Sequence, residues 1–351
     1  MKIRANRAVS SFGAARTLLA RPMQFVAFAM DVKVFNKAEL TLALGAVRSL
    51  EPNPTLDQDG LLATVARLHG VDLFPRLLPR PALTYLARAF RDPRQKKRVV
   101  ELGVAFTMTD GELRPGPAKS LDYLAVTLGQ READVETYRE RAAHQYLLAR
   151  VDFTRRMAAR MFGDAWPSEH ERGVRKTLAG LLRARDDGDV AARYHALGDL
   201  SPLSFGYALW NHYRQNRFRF PGEGGGVPER LLLHDLSHVL SGYPTDPLGE
   251  LQQAAFQTGC ARDDSFLALY LGILSYQLGV RVAPERHAPG DDFDTKPVCS
   301  ALARGISCRV DLGADWDFWP LLPQSLSDVR RQLGVPPMSR FPSDRCPPAL
   351  A

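Results

Sequence analysis

From Lys33 onward the apolar residues recur at three- and four-residue spacing, and no run alternates apolar with polar side chains as a half-buried strand does. That periodicity restricts the chain to helices, each burying one face. Leu40, Leu42, Leu44 and Val47 precede a turn at Glu51-Pro-Asn-Pro54, and Leu61, Leu62, Val65 and Leu68 run to a glycine stop at Gly70. A proline-punctuated stretch from Phe74 to Pro81 introduces a helix through Phe90. The next run carries Val99, Val100, Leu102 and Val104 and ends at Asp110-Gly111. Ala118 to Leu128 closes with Gly129, and helical spacing resumes at Ala133 and passes Arg150. At 351 residues the chain exceeds one typical domain, so an all-α protein of two helical domains is expected.

No segment supplies the ~20 consecutive apolar residues of a membrane span. The longest candidate, Phe266 to Val280, is too short and contains Ser275 and Gln277, so it reads as a buried or groove-lining helix. Cys260, Cys299, Cys308 and Cys346 form no CxxC pair, which implies reduced thiols in a cytosol-like compartment. The net charge of +7 comes mostly from arginine, and no nucleic-acid-binding signature accompanies it, so no nucleic-acid partner is expected. The first thirty residues contain Lys2, Arg4, Arg7, Arg16 and Arg21 with no acid before Asp31, and Val9, Phe12, Ala15 and Leu19 at helical spacing. Residues 1–45 therefore read as a basic amphipathic segment. It rests on an anionic membrane surface or packs on its own domain, and in a eukaryote it reads as a mitochondrial transit peptide. Residues 151–189 read as a charged helical connector and 339–351 as a tail. The glycines of Phe220-Pro-Gly-Glu-Gly-Gly-Gly226 do not follow a strand and make no nucleotide loop.

The chemistry concentrates in Leu231-Leu-Leu-His-Asp-Leu-Ser-His-Val-Leu240. A spacing of four puts His234 and His238 on one helical face, one turn apart, as chelation requires. Imidazole suits zinc and iron. Asp235 lies about 100° around the helix, where it either ligates or orients a histidine from behind. The turn Gly242-Tyr-Pro-Thr-Asp-Pro-Leu-Gly249 reverses the chain and delivers Glu250 at the start of the next helix. One divalent metal held by His234, Asp235, His238 and Glu250 is expected, zinc first and ferrous iron as the alternative.

Two resemblances extend this reading. Val104-Ala-Phe-Thr-Met-Thr-Asp-Gly-Glu112, with the helix ending Leu124-Ala-Val-Thr-Leu-Gly129, resembles the TerB-like tellurite-resistance helical domain over residues 46–150. Arg114-Pro-Gly-Pro-Ala-Lys119 lacks the further acid usual there, so Asp110 and Glu112 read as turn and cap residues. The pattern HDxxH, eleven residues, then Glu resembles the metal motif of the zinc-containing coenzyme Q (ubiquinone) biosynthesis family, the fourth of the Coq proteins. Leu203-Ser-Phe-Gly-Tyr207, Arg304-Gly305, Trp316-Asp-Phe-Trp319 and Leu326 to Leu333 carry the likeness across residues 190–338. It departs from that pattern at Leu231, Leu232 and Leu233, where relatives place charge.

The likeness implies that all four motif residues are ligands and serve the reaction. It implies C1 decarboxylation and hydroxylation of a polyprenylated hydroxybenzoate-type ring, or a scaffold role in the quinone-making complex. The implied partners are a polyprenyl quinone precursor or other isoprenoid lipid, a membrane surface and other quinone-biosynthesis proteins, with a homodimer left open. The implied location is cytoplasmic, peripheral to the inner membrane, or on the matrix side in a mitochondrion. Leu251, Ala254, Ala255, Phe256, Phe266, Leu267, Leu269, Tyr270, Ile273 and Leu274 read as core from spacing and, by the resemblance, some line a polyprenyl groove. Two other classes stay open: a non-catalytic lipid-binding scaffold, and an HD-type metal phosphohydrolase recruiting His212 with Asp246 or Asp263.

Overall fold

The computed structural model describes residues 34–71, 73–108, 115–143, 187–224, 226–261, 266–273, 296–313 and 316–338. The basic segment up to residue 33, Asp110 and Glu112, connector residues 151–186, Asp263, Leu274 and the tail after 338 lie outside them. The protein is all-α. Among the described residues no strand occurs, and Ser204 and Ser325 form an isolated antiparallel bridge.

The first half contributes α1 (Lys37–Arg48), α2 (Leu56–Leu68), α3 (Leu83–Ala89), α4 (Pro93–Thr107), α5 (Pro115–Thr127) and α6 (132–143). Local chemistry sets their ends. Asn36 with Glu39 and Thr55 with Gln58 form reciprocal capping boxes on α1 and α2. Asp92 caps α4, accepting from the Arg94 backbone N–H at 2.8 Å, with Pro93 at the first helical position. The proline-punctuated stretch is a 3₁₀ turn, Pro75–Leu77, followed by extended chain into α3.

The second half contains α7 (Gly188–His195), α8 (Phe205–Asn216), α9 (Leu232–Ser241), α10 (Pro247–Cys260), α11 (267–273), α12 (Lys296–Ile306) and α13 (Leu326–Leu333). Helices α10 and α12 cross backbone against backbone. A Cβ on Gly259 would lie 2.7 Å from the Ile306 nitrogen, and one on Gly305 would run into the Phe256 carbonyl. The start of α8 is held on the 322–326 segment by Phe205 N–H to Gln324 O at 2.8 Å and Gly206 N–H to Leu322 O at 2.7 Å. Leu203 to Tyr207 and Leu326 onward, far apart in sequence, therefore meet.

The two halves share one hydrophobic core. Their seam holds buried charge as well as apolar surface. Glu101 accepts the Phe266 backbone N–H at 3.3 Å, and the Arg98 guanidinium lies 3.8 Å from the Phe266 ring centre. Every described residue of the expected lipid wall is buried in this core except Ala254, which is half-buried. Cys260, Cys299 and Cys308 are free thiols. No helix among the described residues is long and apolar enough to cross a membrane.

Candidate metal centre

Helix α9 ends where Gly242 takes φ 83°, a left-handed conformation that costs glycine little. The chain turns and re-enters a helix at Asp246, whose carboxylate accepts the Gly249 backbone N–H at 2.8 Å. Gly249 has no room for a side chain, because a Cβ would run into the Pro244 carbonyl. This tight return brings Glu250, in the first turn of α10, over the histidine face of α9.

Three ligand atoms converge there. His234 Nε2 and His238 Nε2 are 3.2 Å apart, and Glu250 Oε2 lies 3.3 Å from the first and 3.4 Å from the second. His238 Nδ1 is 2.9 Å from the Tyr243 carbonyl oxygen. A carbonyl only accepts, so Nδ1 carries the proton, and in the neutral imidazole Nε2 presents its lone pair to the other two atoms. Lone pairs and a carboxylate facing each other at this range call for a cation or protons between them. Atoms about 2.0–2.1 Å from a tetrahedral zinc stand about 3.3 Å from one another, which the three edges match. The donor set and its spacing therefore suit a divalent metal. The side chains are 11%, 1% and 12% exposed, so the cluster is shielded yet reachable.

Asp235 is in a different place from the one expected of a ligand. It is 1% exposed and outside the three-residue cluster, and its Oδ2 accepts the Tyr213 hydroxyl of α8 at 2.5 Å. The 100° offset from the histidine face thus turns Asp235 toward α8. There its hydrogen bond to Tyr213, rather than to either histidine, fixes the roll of α9 against α8. His212, next to Tyr213, stacks on His238 with ring centres 6.0 Å apart and planes 23° apart. Asn216, one turn on, accepts from the Thr245 hydroxyl at 2.7 Å and so ties α8 to the turn between the ligand helices.

Other supports lack any sequence motif. Gln253, fully buried, donates to Ser237 Oγ and accepts from Ser241 Oγ, both at 2.6 Å, bolting α10 to α9 behind the ligands. Arg330 of α13 donates to the Leu240 and Val239 carbonyls at 2.9 and 3.0 Å, satisfying the C-terminal end of α9. Desolvation, with repulsion from Arg304 second, lowers the Arg330 pKa. Arg304 is 1% exposed, donates to Pro336 O at 2.7 Å and lies 5.2 Å from the Tyr243 ring centre. It thereby steadies the residue whose carbonyl orients His238. Burial raises the Tyr243 pKa against the opposing Arg304 charge, so its phenol stays protonated. A buried glutamine three residues after Glu250 and a paired arginine in α13 were the available signals, and each reads as an ordinary surface residue without its distant partner.

No family model matches this chain, and no curated protein or solved structure matches it significantly.

Proposed function

We propose that this protein is a metalloprotein of the coenzyme Q-biosynthesis type. It would act on a polyprenylated hydroxybenzoate-type ring at the membrane surface by removing the C1 carboxylate and hydroxylating that carbon. The observation that carries this reading is the convergence of His234, His238 and Glu250 at tetrahedral spacing, in the order HDxxH, eleven residues, Glu. A metal held there supplies a Lewis acid for the ring carboxylate or a ring oxygen. A metal held by His234, His238 and Glu250 would keep a position open for substrate, as catalytic rather than closed structural zinc sites do.

The chain's own residues set the conditions. Tyr243 O holds His238 in the ligating tautomer, Asp235 with Tyr213 holds the roll of α9, and the Ser237–Gln253–Ser241 bridge holds Glu250 above the pair. Zinc has no redox chemistry, so with zinc the hydroxyl oxygen comes from dioxygen reacting with the electron-rich ring. One oxygen atom of dioxygen forms the carbon–oxygen bond as the carbon–carboxylate bond breaks to release carbon dioxide, and an external two-electron donor of the reduced nicotinamide or flavin class reduces the other atom to water.

The phosphohydrolase alternative needs Asp235 on the metal and a downstream aspartate; Asp235 stands outside the converging trio and Asp246 caps α10, while Asp263 lies outside the described residues. The test is release of labelled carbon dioxide from a carboxyl-labelled prenyl-hydroxybenzoate by the full chain with dioxygen. Release abolished by Glu250→Gln supports the enzyme reading. No release by metal-loaded wild type, combined with rescue of quinone synthesis by Glu250→Gln in cells, would replace it with the scaffold reading.

A further inference from the structure

Residues 73–91 contain four arginines and no acid, and Arg76, Arg80, Arg88 and Arg91 are all exposed. The same stretch exposes large apolar side chains. Phe74 is 75% and Leu77 80% accessible, and Tyr85 on α3 is 55% accessible. Phe74 and Leu77 bracket the 3₁₀ turn, with the Leu77 N–H donating to Phe74 O at 2.9 Å. Phe74 is extended and precedes the turn, and Leu77 is its last residue, so the two exposed apolar side chains sit three positions apart at its ends. Pro75, Pro79 and Pro81 stiffen the segment, and Pro79 is seated against Gly45 of α1, where a Cβ would run into its carbonyl oxygen. Two large apolar side chains are thus held out into solvent by a rigid turn, with guanidinium groups beside them.

The described carboxylates near this stretch leave its charge in place: Asp92, next to Arg91, caps α4 and pairs with Arg94 at 2.9 Å. Asp59 lies 3.9 Å from Arg76 but is already engaged by Arg48 through two hydrogen bonds at 2.9 and 3.3 Å. Arg76 remains 76% exposed. A single protein partner would have to offer an apolar slot and an acidic rim together, whereas an anionic bilayer offers both everywhere: acyl chains under a layer of negative headgroups.

We infer that the 3₁₀ turn Pro75–Leu77 is a membrane-docking wedge, inserting Phe74 and Leu77 into an anionic lipid surface while Arg76 and Arg80 engage its headgroups. This surface is distinct from the metal centre and from the basic segment at the N terminus. It acts whether or not the metal reading holds.

The test is co-sedimentation of the full chain with vesicles of phosphatidylcholine alone and of phosphatidylcholine with phosphatidylglycerol. The variants are Phe74→Ser/Leu77→Ser and Arg76→Glu/Arg80→Glu, each checked for unchanged thermal unfolding, which their exposure favours. Wild type is expected to bind the anionic vesicles only. Removing the apolar pair should weaken partitioning roughly tenfold or more, and each arginine should contribute about fivefold at low salt. Wild type that fails to bind anionic vesicles overturns the inference. So do variants that bind like wild type, which would assign docking to another surface. Loss confined to the arginine variant overturns insertion, and a change in oligomeric state without a change in lipid binding assigns the turn to a second copy of the chain.

Discussion

Replacing Gln253 with leucine tests the bolt between the two ligand helices. The substitution keeps side-chain volume but removes two buried hydrogen bonds of 2.6 Å, one to Ser237 and one from Ser241. Ser241 Oγ keeps the His238 carbonyl and the Tyr243 N–H, both at 3.2 Å, so it is not stranded. Ser237 loses the donor it had from Gln253. Two bonds at about 1 kcal/mol each, with up to about 2 kcal/mol for the weakened Ser237 hydroxyl, give a cost of roughly 2–4 kcal/mol. With about 2.1 cal/mol/K of unfolding entropy per residue, that is roughly a 3–5 °C fall in Tm for 351 residues. Because His234 and His238 sit on one side of the bolt and Glu250 on the other, zinc affinity should fall about tenfold or more as well. Differential scanning calorimetry and a competitive zinc titration read both effects. A Tm within about 1 °C of wild type with unchanged zinc affinity would refute the claim that this network fixes the site.

Three further substitutions probe separate supports. Asp235→Asn keeps an acceptor for the Tyr213 hydroxyl and should retain wild-type zinc stoichiometry by plasma mass spectrometry, whereas loss of the metal would return Asp235 to the ligand set. Gly249→Ala forces a Cβ onto the Pro244 carbonyl; it should destabilise by about 1–3 kcal/mol in urea unfolding and weaken zinc by displacing Glu250. Arg330→Met removes two charged hydrogen bonds to the end of α9 and should cost about 2–3 kcal/mol in the same assay, with little effect on zinc stoichiometry.

The helical class was legible because periodicity and glycine stops are local, and Gly70, Gly129 and Gly242 do take positive φ at helix ends. The His234–His238 pair was legible for the same reason: a spacing of four is a statement about one helix. Glu250 came through because the connecting turn is short and closed by Asp246 and Gly249. What stayed hidden depends on partners distant in sequence. Asp235 points at Tyr213, 22 residues earlier, and Arg330 reaches Leu240 across 90 residues. Neither offset has a period to read. The Glu101–Phe266 contact spans 165 residues, so the packing of the two halves had no sequence signal at all. The expected lipid wall shows the reverse limit: apolar spacing alone cannot separate a groove from a core, and here the side chains are in the core.

The most direct test of the central claim is metal content by plasma mass spectrometry of the full chain, purified without chelator, beside a folded His238→Ala variant. The account predicts close to one zinc per wild-type chain and loss of it in the variant. Wild type without metal, or metal retained equally by the variant, would contradict it and leave the three converging side chains as helix packing.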